Sequence, residues 1–255
     1  MKLAVIGAGS IGAWVIAALE REGLGPAAVI VRGTAPVGLP AARSVAALPP
    51  GVTHVVDCAG HAGLAAHGPA ALEAGIDVIT LSLGALADAG LARDLSRAAE
   101  AGGARLHLAS GAIGALDALR AGAAGGLRSV RYTGRKPPMG WAGSPAEEVL
   151  DLSALTAPAF HFEGSARQAA LAYPKNANVA AAVALAGLGF DDTQARLVAD
   201  PGAPGNIHEV EAEGAFGSFR FEIMGAPLPG NLRSSALAAM SVLAEVRRIR
   251  ARVTT

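Results

Sequence analysis

Lys2-Leu3-Ala4-Val5-Ile6-Gly7-Ala8-Gly9-Ser10-Ile11-Gly12, at the start of a 255-residue chain, decides the fold. The first five residues are an apolar run that ends in glycine, which reads as a buried strand. From Ser10 onward the apolar positions Ile11, Val15, Ile16 and Leu19 recur at helical spacing. The pattern G-x-G-x-x-G joins strand to helix, and that context gives it meaning in a chain with 33 glycines. Gly7 permits the tight turn, Gly9 lets a pyrophosphate approach the backbone, and Gly12 lets helix and strand pack closely. Ser10 and Ile11 open the helix, whose unpaired N–H groups face the phosphates. Gly7, Gly9, Ser10, Ile11 and Gly12 are therefore expected to hold a nicotinamide dinucleotide.

Further strands are expected at 27–31, 53–57, 77–81 and 105–108, and helices at 64–74 and 86–101. Strand and helix alternating over ~100 residues imply a doubly wound parallel sheet of Rossmann type, here spanning 1–110. Its second strand ends Val29-Ile30-Val31-Arg32-Gly33-Thr34. An acid there would hold the adenine ribose of NAD. There is none, and Arg32 suits a 2′-phosphate, so the cofactor is NAD or NADP, with NADP accepted at least as well. Ligands bind beyond the C-terminal ends of such strands. Ala59, Gly60, Ser82 and Ala112 stand in loops expected there.

After Ser110 the pattern changes. Strands are expected at 129–133, 159–163, 194–198, 207–213 and 218–224, with helices at 113–121, 165–172 and 178–186. Phe219, Phe221 and Ile223 alternate with Arg220 and Glu222, the period-two mark of a sheet covered on one face. Residues 111–232 thus form a second, smaller α+β domain for substrate and catalysis. A last helix over 235–250 carries an apolar stripe and is expected to pack back on the first domain.

Asn206-Ile207-His208-Glu209-Val210-Glu211-Ala212-Glu213 separates His208, Val210 and Ala212 from a face of three glutamates. That turns His208 inward, either as a core histidine or as a group that exchanges protons near neutral pH. Tyr173-Pro174-Lys175-Asn176-Ala177-Asn178 sets a cation and two amides before a helix, where Asn176 could cap and Lys175 could bind a carboxylate. Gly134-Arg135-Lys136-Pro137-Pro138 reads as a stiff, solvated loop carrying two cations.

Composition narrows the classes. Hydrophobic residues make up 52% and charged residues 16%, enough for a core and too apolar for disorder. Twenty-one basic residues balance 21 acidic ones, so no electrostatic capture of nucleic acid or an anionic membrane is expected. The single Cys58 excludes an intrachain disulfide, and the histidine spacings make no zinc pattern, so no metal is expected. No apolar run reaches bilayer length, and a cytoplasmic protein is the expectation.

The motifs taken together resemble the L-aspartate dehydrogenase family nearly end to end. Besides the glycine turn, the resemblance is carried by Ser110-Gly111-Ala112-Ile113-Gly114-Ala115-Leu116-Asp117-Ala118-Leu119, Gly134-Arg135-Lys136-Pro137-Pro138, Tyr173 through Ala180, and Asn206-Ile207-His208. It implies that His208 is the active-site histidine and that Ala112 and Asn178 touch the cofactor. It implies NAD(P)-dependent oxidation of L-aspartate to iminoaspartate and then oxaloacetate and ammonia, a step that feeds NAD biosynthesis. It also implies a homodimer or larger homo-oligomer. Two substrate carboxylates need cations or amides, for which Lys175, Asn176 and Arg135 are the candidates, with Arg167 also at hand. Met139-Gly140-Trp141 departs from the family, where a bulkier, often basic residue precedes the tryptophan. Other readings of the same architecture are another amino-acid dehydrogenase, an imine reductase, or a non-catalytic NAD(P) sensor.

Overall fold

The strand β1 (Leu3–Ile6) is buried along its whole length, as an apolar run flanked by neighbours on both sides must be. Around it, a computed structural model describes residues 1–174, 178–229 and 231–253. The chain divides into two compact units. The first joins Met1–Gly111 to Ala238–Thr255, and the second is Ala112–Leu237.

In the first unit β1 lies between β2 (Val29–Ile30) and β4 (His54–Asp57), with β3 (Ala41–Ala42) outside β2. Beyond β4 come β5 (Asp77–Thr80) and β6 (Leu106–Leu108), giving the order β3-β2-β1-β4-β5-β6. All pairings are parallel. Three helices follow strands: α1 (Ser10–Arg21), α2 (His61–Glu73) and α3 (Ala89–Gly102). The sequence pattern joined residues 86 and 87 to α3. In the structure a 3-10 turn takes Leu83–Ala87 and the helix begins after Asp88, whose carboxylate accepts from the N–H groups of Gly90 and Leu91. Gly103 ends it in the left-handed conformation. The long C-terminal helix α9 (Ala236–Arg250) joins this unit, and its Val242 and Val246 are fully buried with Leu3, Val5, Val15, Leu19 and Val56.

The second unit holds α4 (Leu116–Gly125), β7 (Leu127–Lys136), α5 (Ala146–Val149), β8 (Ala159–Ser165), α6 (Ala166–Ala172), α7 (Asn178–Ala186), α8 (Gly189–Asp192), β9 (Gln194–Ala199), β10 (Asn206–Gly214) and β11 (Gly217–Gly225). Five strands form a mixed sheet in the order β11-β10-β7-β9-β8. A small ribbon, β12 (Pro227–Leu228) with β13 (Asn231–Ser235), follows. Val130 and Tyr132 of β7 and Val210 and Ala212 of β10 are buried, on the face that α4 and α7 cover. The other face is laced by Arg131–Glu211 at 3.4 Å, Arg196–Glu163 at 2.6 Å and an Arg220–Glu209 pair.

Of the loop expected at Gly134–Pro138, residues Gly134 to Lys136 are instead the end of β7. Arg135 pairs with Ile207 on one side and Val198 on the other, and Lys136 pairs with Ala199. The strand stops only where Pro137 lacks an N–H to give. No described helix is long and apolar enough to cross a membrane.

Candidate active site

The glycine turn sits where the strands of the first unit end. Gly7 has φ +88°, and a Cβ there would press on Ala59 at 2.9 Å. A Cβ at Gly12 would collide with the Gly7 carbonyl, whereas at Gly9 nothing lies within 4 Å. The turn is thus closed toward the protein at positions 7 and 12 and open at position 9, as a phosphate cradle requires. Beside it runs a cavity of about 870 Å³ lined by Gly7, Gly9, Arg32, Ala59, Arg43 and His67, among others. That volume suits a drug- or nucleotide-sized ligand. Of the residues singled out in sequence, Gly7, Gly9, Arg32 and Ala59 meet here. Ser10 and Ile11 open α1 directly behind the turn, and Gly60, at φ +78°, leads into α2.

Two residues of this region, Arg43 and Asp57, escaped the sequence reading. Arg43 donates to the carbonyls of Val31 (2.7 Å) and Gly33 (3.1 Å), so it shapes the loop that bears Arg32. Asp57, fully buried at the end of β4, accepts from the Ala59 N–H (3.0 Å), the Thr80 hydroxyl (2.8 Å) and the Ser82 hydroxyl (2.6 Å). Burial pushes its carboxyl up, and these three donors oppose that. Ser82, expected on the ligand path, is itself buried, and its hydroxyl ties the β5 end to Asp57. An acid closing the apolar run His54-Val55-Val56-Asp57 was the signal available in sequence.

In the second unit His208 is only 3% exposed. Its strand partner is Gly134, so Tyr132, Gly134 and Lys136 of β7 share its face. The Tyr132 hydroxyl hydrogen-bonds His208 Nδ1 at 2.8 Å. Lys136 is 8% exposed, with Nζ 4.7 Å from the centre of the Trp141 ring. Burial pulls the Lys136 ammonium down to about 8. Burial, reinforced by the Lys136 charge, pulls His208 down to about 3, so the imidazole is neutral at pH 7. His161, held down to about 4 by the same two causes, stacks edge-on against Trp141 with centroids 4.4 Å apart. Its Nε2 is buried with no hydrogen-bond partner among the described residues.

Arg135, on the opposite face, pairs with Asp200 at 3.1 Å, and Arg167 with Asp191 at 2.7 Å. The buried cation beside His208 is therefore Lys136. Asn178 is the first residue of α7 and half-buried, and Ala112 is buried at the start of the second unit. Lys175 and Asn176 lie outside the described residues.

Comparison with known proteins converges on one family. The aspartate dehydrogenase C-terminal family matches residues 117–249, and the NAD-binding domain family of homoserine dehydrogenase matches residues 7–109. An L-aspartate dehydrogenase of Ruegeria pomeroyi is 59% identical, over 97% of this chain and 92% of its own length. One of Pseudomonas aeruginosa is 48% identical over 95% of each. The crystal structure of aspartate dehydrogenase from Thermotoga maritima aligns with a TM-score of 0.79 at 27% identity, covering 100% of this chain and 99% of that one.

Proposed function

The chain belongs to the L-aspartate dehydrogenase family, and we propose that it oxidises L-aspartate reversibly to iminoaspartate, which water converts to oxaloacetate and ammonia. The observation that carries the reading is a buried imidazole at position 208, hydrogen-bonded to Tyr132, beside the buried Lys136 on one sheet face.

A bound nicotinamide dinucleotide would supply the hydride acceptor for oxidation at the substrate Cα. Gly7, Gly9, Gly12, Ser10 and Ile11 hold its pyrophosphate, and Arg32 its adenosine end. Ala59, Gly60, Ser82, Ala112 and Asn178 complete the cofactor set. A neutral His208 takes a proton at Nε2, either from the substrate ammonium group or from the water that attacks the imine. Lys136 holds a substrate carboxylate beside it, a charge-assisted bond that Arg135, engaged with Asp200, does not make from the opposite face. Lys175 and Asn176 stay as further carboxylate ligands in this reading. It also includes a homodimer or larger homo-oligomer in the cytoplasm, with no nucleic-acid or membrane partner.

The test is purified protein with oxaloacetate, ammonium and either NADH or NADPH, followed by loss of reduced-cofactor absorbance. Turnover is expected with both cofactors, with NADPH used at least as well. His208→Ala should keep dinucleotide affinity and lose turnover roughly 10²-fold. Turnover with other 2-oxo acids but not oxaloacetate marks a different amino-acid dehydrogenase or an imine reductase. Tight dinucleotide binding without any turnover marks a sensor.

A further inference from the structure

Glycine inside a strand weakens it and gives it nothing to pack, so Gly134, in the middle of the buried sheet, needs a reason. Its backbone does not supply one, because Gly134 is not among the glycines with positive φ. The reason is a side chain that crosses above it. Tyr132 lies two residues back on the same face and reaches along the strand toward His208, the cross-strand partner of Gly134. The two rings lie 6.0 Å apart, inclined by 21°, and the hydroxyl meets Nδ1 at 2.8 Å. A Cβ at position 134 would stand 2.5 Å from that hydroxyl, 3.1 Å from Tyr132 Cζ and 3.3 Å from a Leu197 methyl. Glycine keeps the path open.

We propose that Tyr132 is the positioning residue for His208: it holds Nδ1, leaves Nε2 as the nitrogen that exchanges protons with the substrate, and depends on Gly134 for its path. The inference rests on the reading of His208 given above. A phenol suits this task better than an acid. A carboxylate at Nδ1 would favour the charged ring and hold it as imidazolium. The buried phenol is kept protonated, since burial pushes its pKa up. It orients the ring without charging it. Its oxygen accepts from Nδ1–H whether or not Nε2 carries a proton. The proton gained from the ammonium group or water, and later released, therefore comes and goes at Nε2 while the anchor stays in place.

The test is a double-mutant cycle on the full chain with Tyr132→Phe and Gly134→Ala. Tyr132→Phe should lower kcat by ~10-fold or more, with the KM for oxaloacetate and the Kd for dinucleotide within about twofold of wild type. Gly134→Ala should lose a similar factor by displacing the hydroxyl. The double variant should be no worse than the poorer single one, because both remove the same contact. A Tyr132→Phe enzyme with wild-type kcat overturns the proposal, as does a loss that falls equally on kcat, KM and cofactor Kd. Should the variants not fold, ¹⁵N spectra of the unaltered protein decide. His208 Nδ1 must be hydrogen-bonded and Nε2 must be the nitrogen that responds to an added dicarboxylate, and the reverse pattern overturns the proposal. If the wild type does not turn over oxaloacetate and ammonium, the reading of His208 as the proton-exchanging group fails, and the spectra still settle whether Tyr132 anchors it.

Discussion

Lys136 shows how much a single position depends on its neighbours. Its ammonium is driven toward neutrality by burial, to about 8, and a bound anion restores the charge. The group is charged below that value and loses its proton as pH rises through it. The KM for oxaloacetate should therefore be flat below pH 8 and climb above it. Lys136→Met should raise that KM ~10- to 100-fold, the worth of a charged hydrogen bond, and abolish the alkaline climb, with cofactor affinity unchanged. An alkaline climb that survives Lys136→Met would assign it to another group. At this scale the sequence was partly legible. The alternation along 206–213 turned His208 inward, and the burial of His208, Val210 and Ala212 follows that parity. The sequence singles out Arg135 as a carboxylate candidate and passes over Lys136, because the Pro137-Pro138 pair suggests a loop in which neither has a fixed face. Only the ladder to β9 and β10 separates them, sending one to a surface ion pair and the other inward. Tyr132 carried no signal of its own, since a buried aromatic in a strand is ordinary until its hydroxyl is seen to have a partner.

At the scale of the element, the turn from β1 to α1 makes two glycines answer differently to the same change. Gly9 has φ −68° and open space, so alanine fits the fold there. Gly9→Ala should melt within a few degrees of wild type, as open surface changes do, yet lose dinucleotide affinity at least ~10-fold by blocking the approach of phosphate. Gly12→Ala forces a methyl into the Gly7 carbonyl and should cost about 1–3 kcal/mol of stability as well as binding, read by thermal melts beside cofactor titrations. Equal melting losses in the two variants would contradict this division. The helix α9 offers a pH-dependent case. His107 stands between Asp77 at 3.1 Å and Glu245 of α9 at 3.4 Å. The bond to Glu245, opposed by burial and helped by Asp77, raises its pKa. A raised value means stability that is whole below 6.5 and lost as pH rises through the folded pKa. His54, 3.6 Å from Asp77, is lowered by burial and acts only below 6.5, where it subtracts. Melts should therefore show stability lost as pH rises above about 6.5, and Glu245→Gln should flatten that slope. Long periodic elements were readable because period and burial agree, as in α1 and β10. The two-residue strands β2, β3 and β12 are too short to carry a period, and β3 and β12 were missed outright.

Across the whole molecule, the chain leaves the first unit at Gly111 and returns to it at Ala238. The change of pattern after Ser110 was legible, because parallel-strand runs give way to alternating ones. The first unit is consequently incomplete without α9. Val242 and Val246 are fully buried among β-strand and α1 residues, Ala239 is equally buried, and the Ser241 hydroxyl accepts from the Gly111 N–H at 3.0 Å. Burying one such valine contributes ~1.5–3 kcal/mol, so losing the helix removes ~5 kcal/mol or more from a domain whose total margin is typically ~5–15 kcal/mol. A chain ending at Leu237 should therefore lack the cooperative transition of the first unit and fail to bind dinucleotide. The second unit is continuous in sequence and should keep its own transition in the same calorimetric scan. A synthetic peptide of residues 236–253 added in trans should restore part of the binding, in proportion to its concentration, since the missing contacts need no covalent link. If the truncated chain bound dinucleotide as tightly as the intact one, α9 would be an accessory to the first unit and not part of its core.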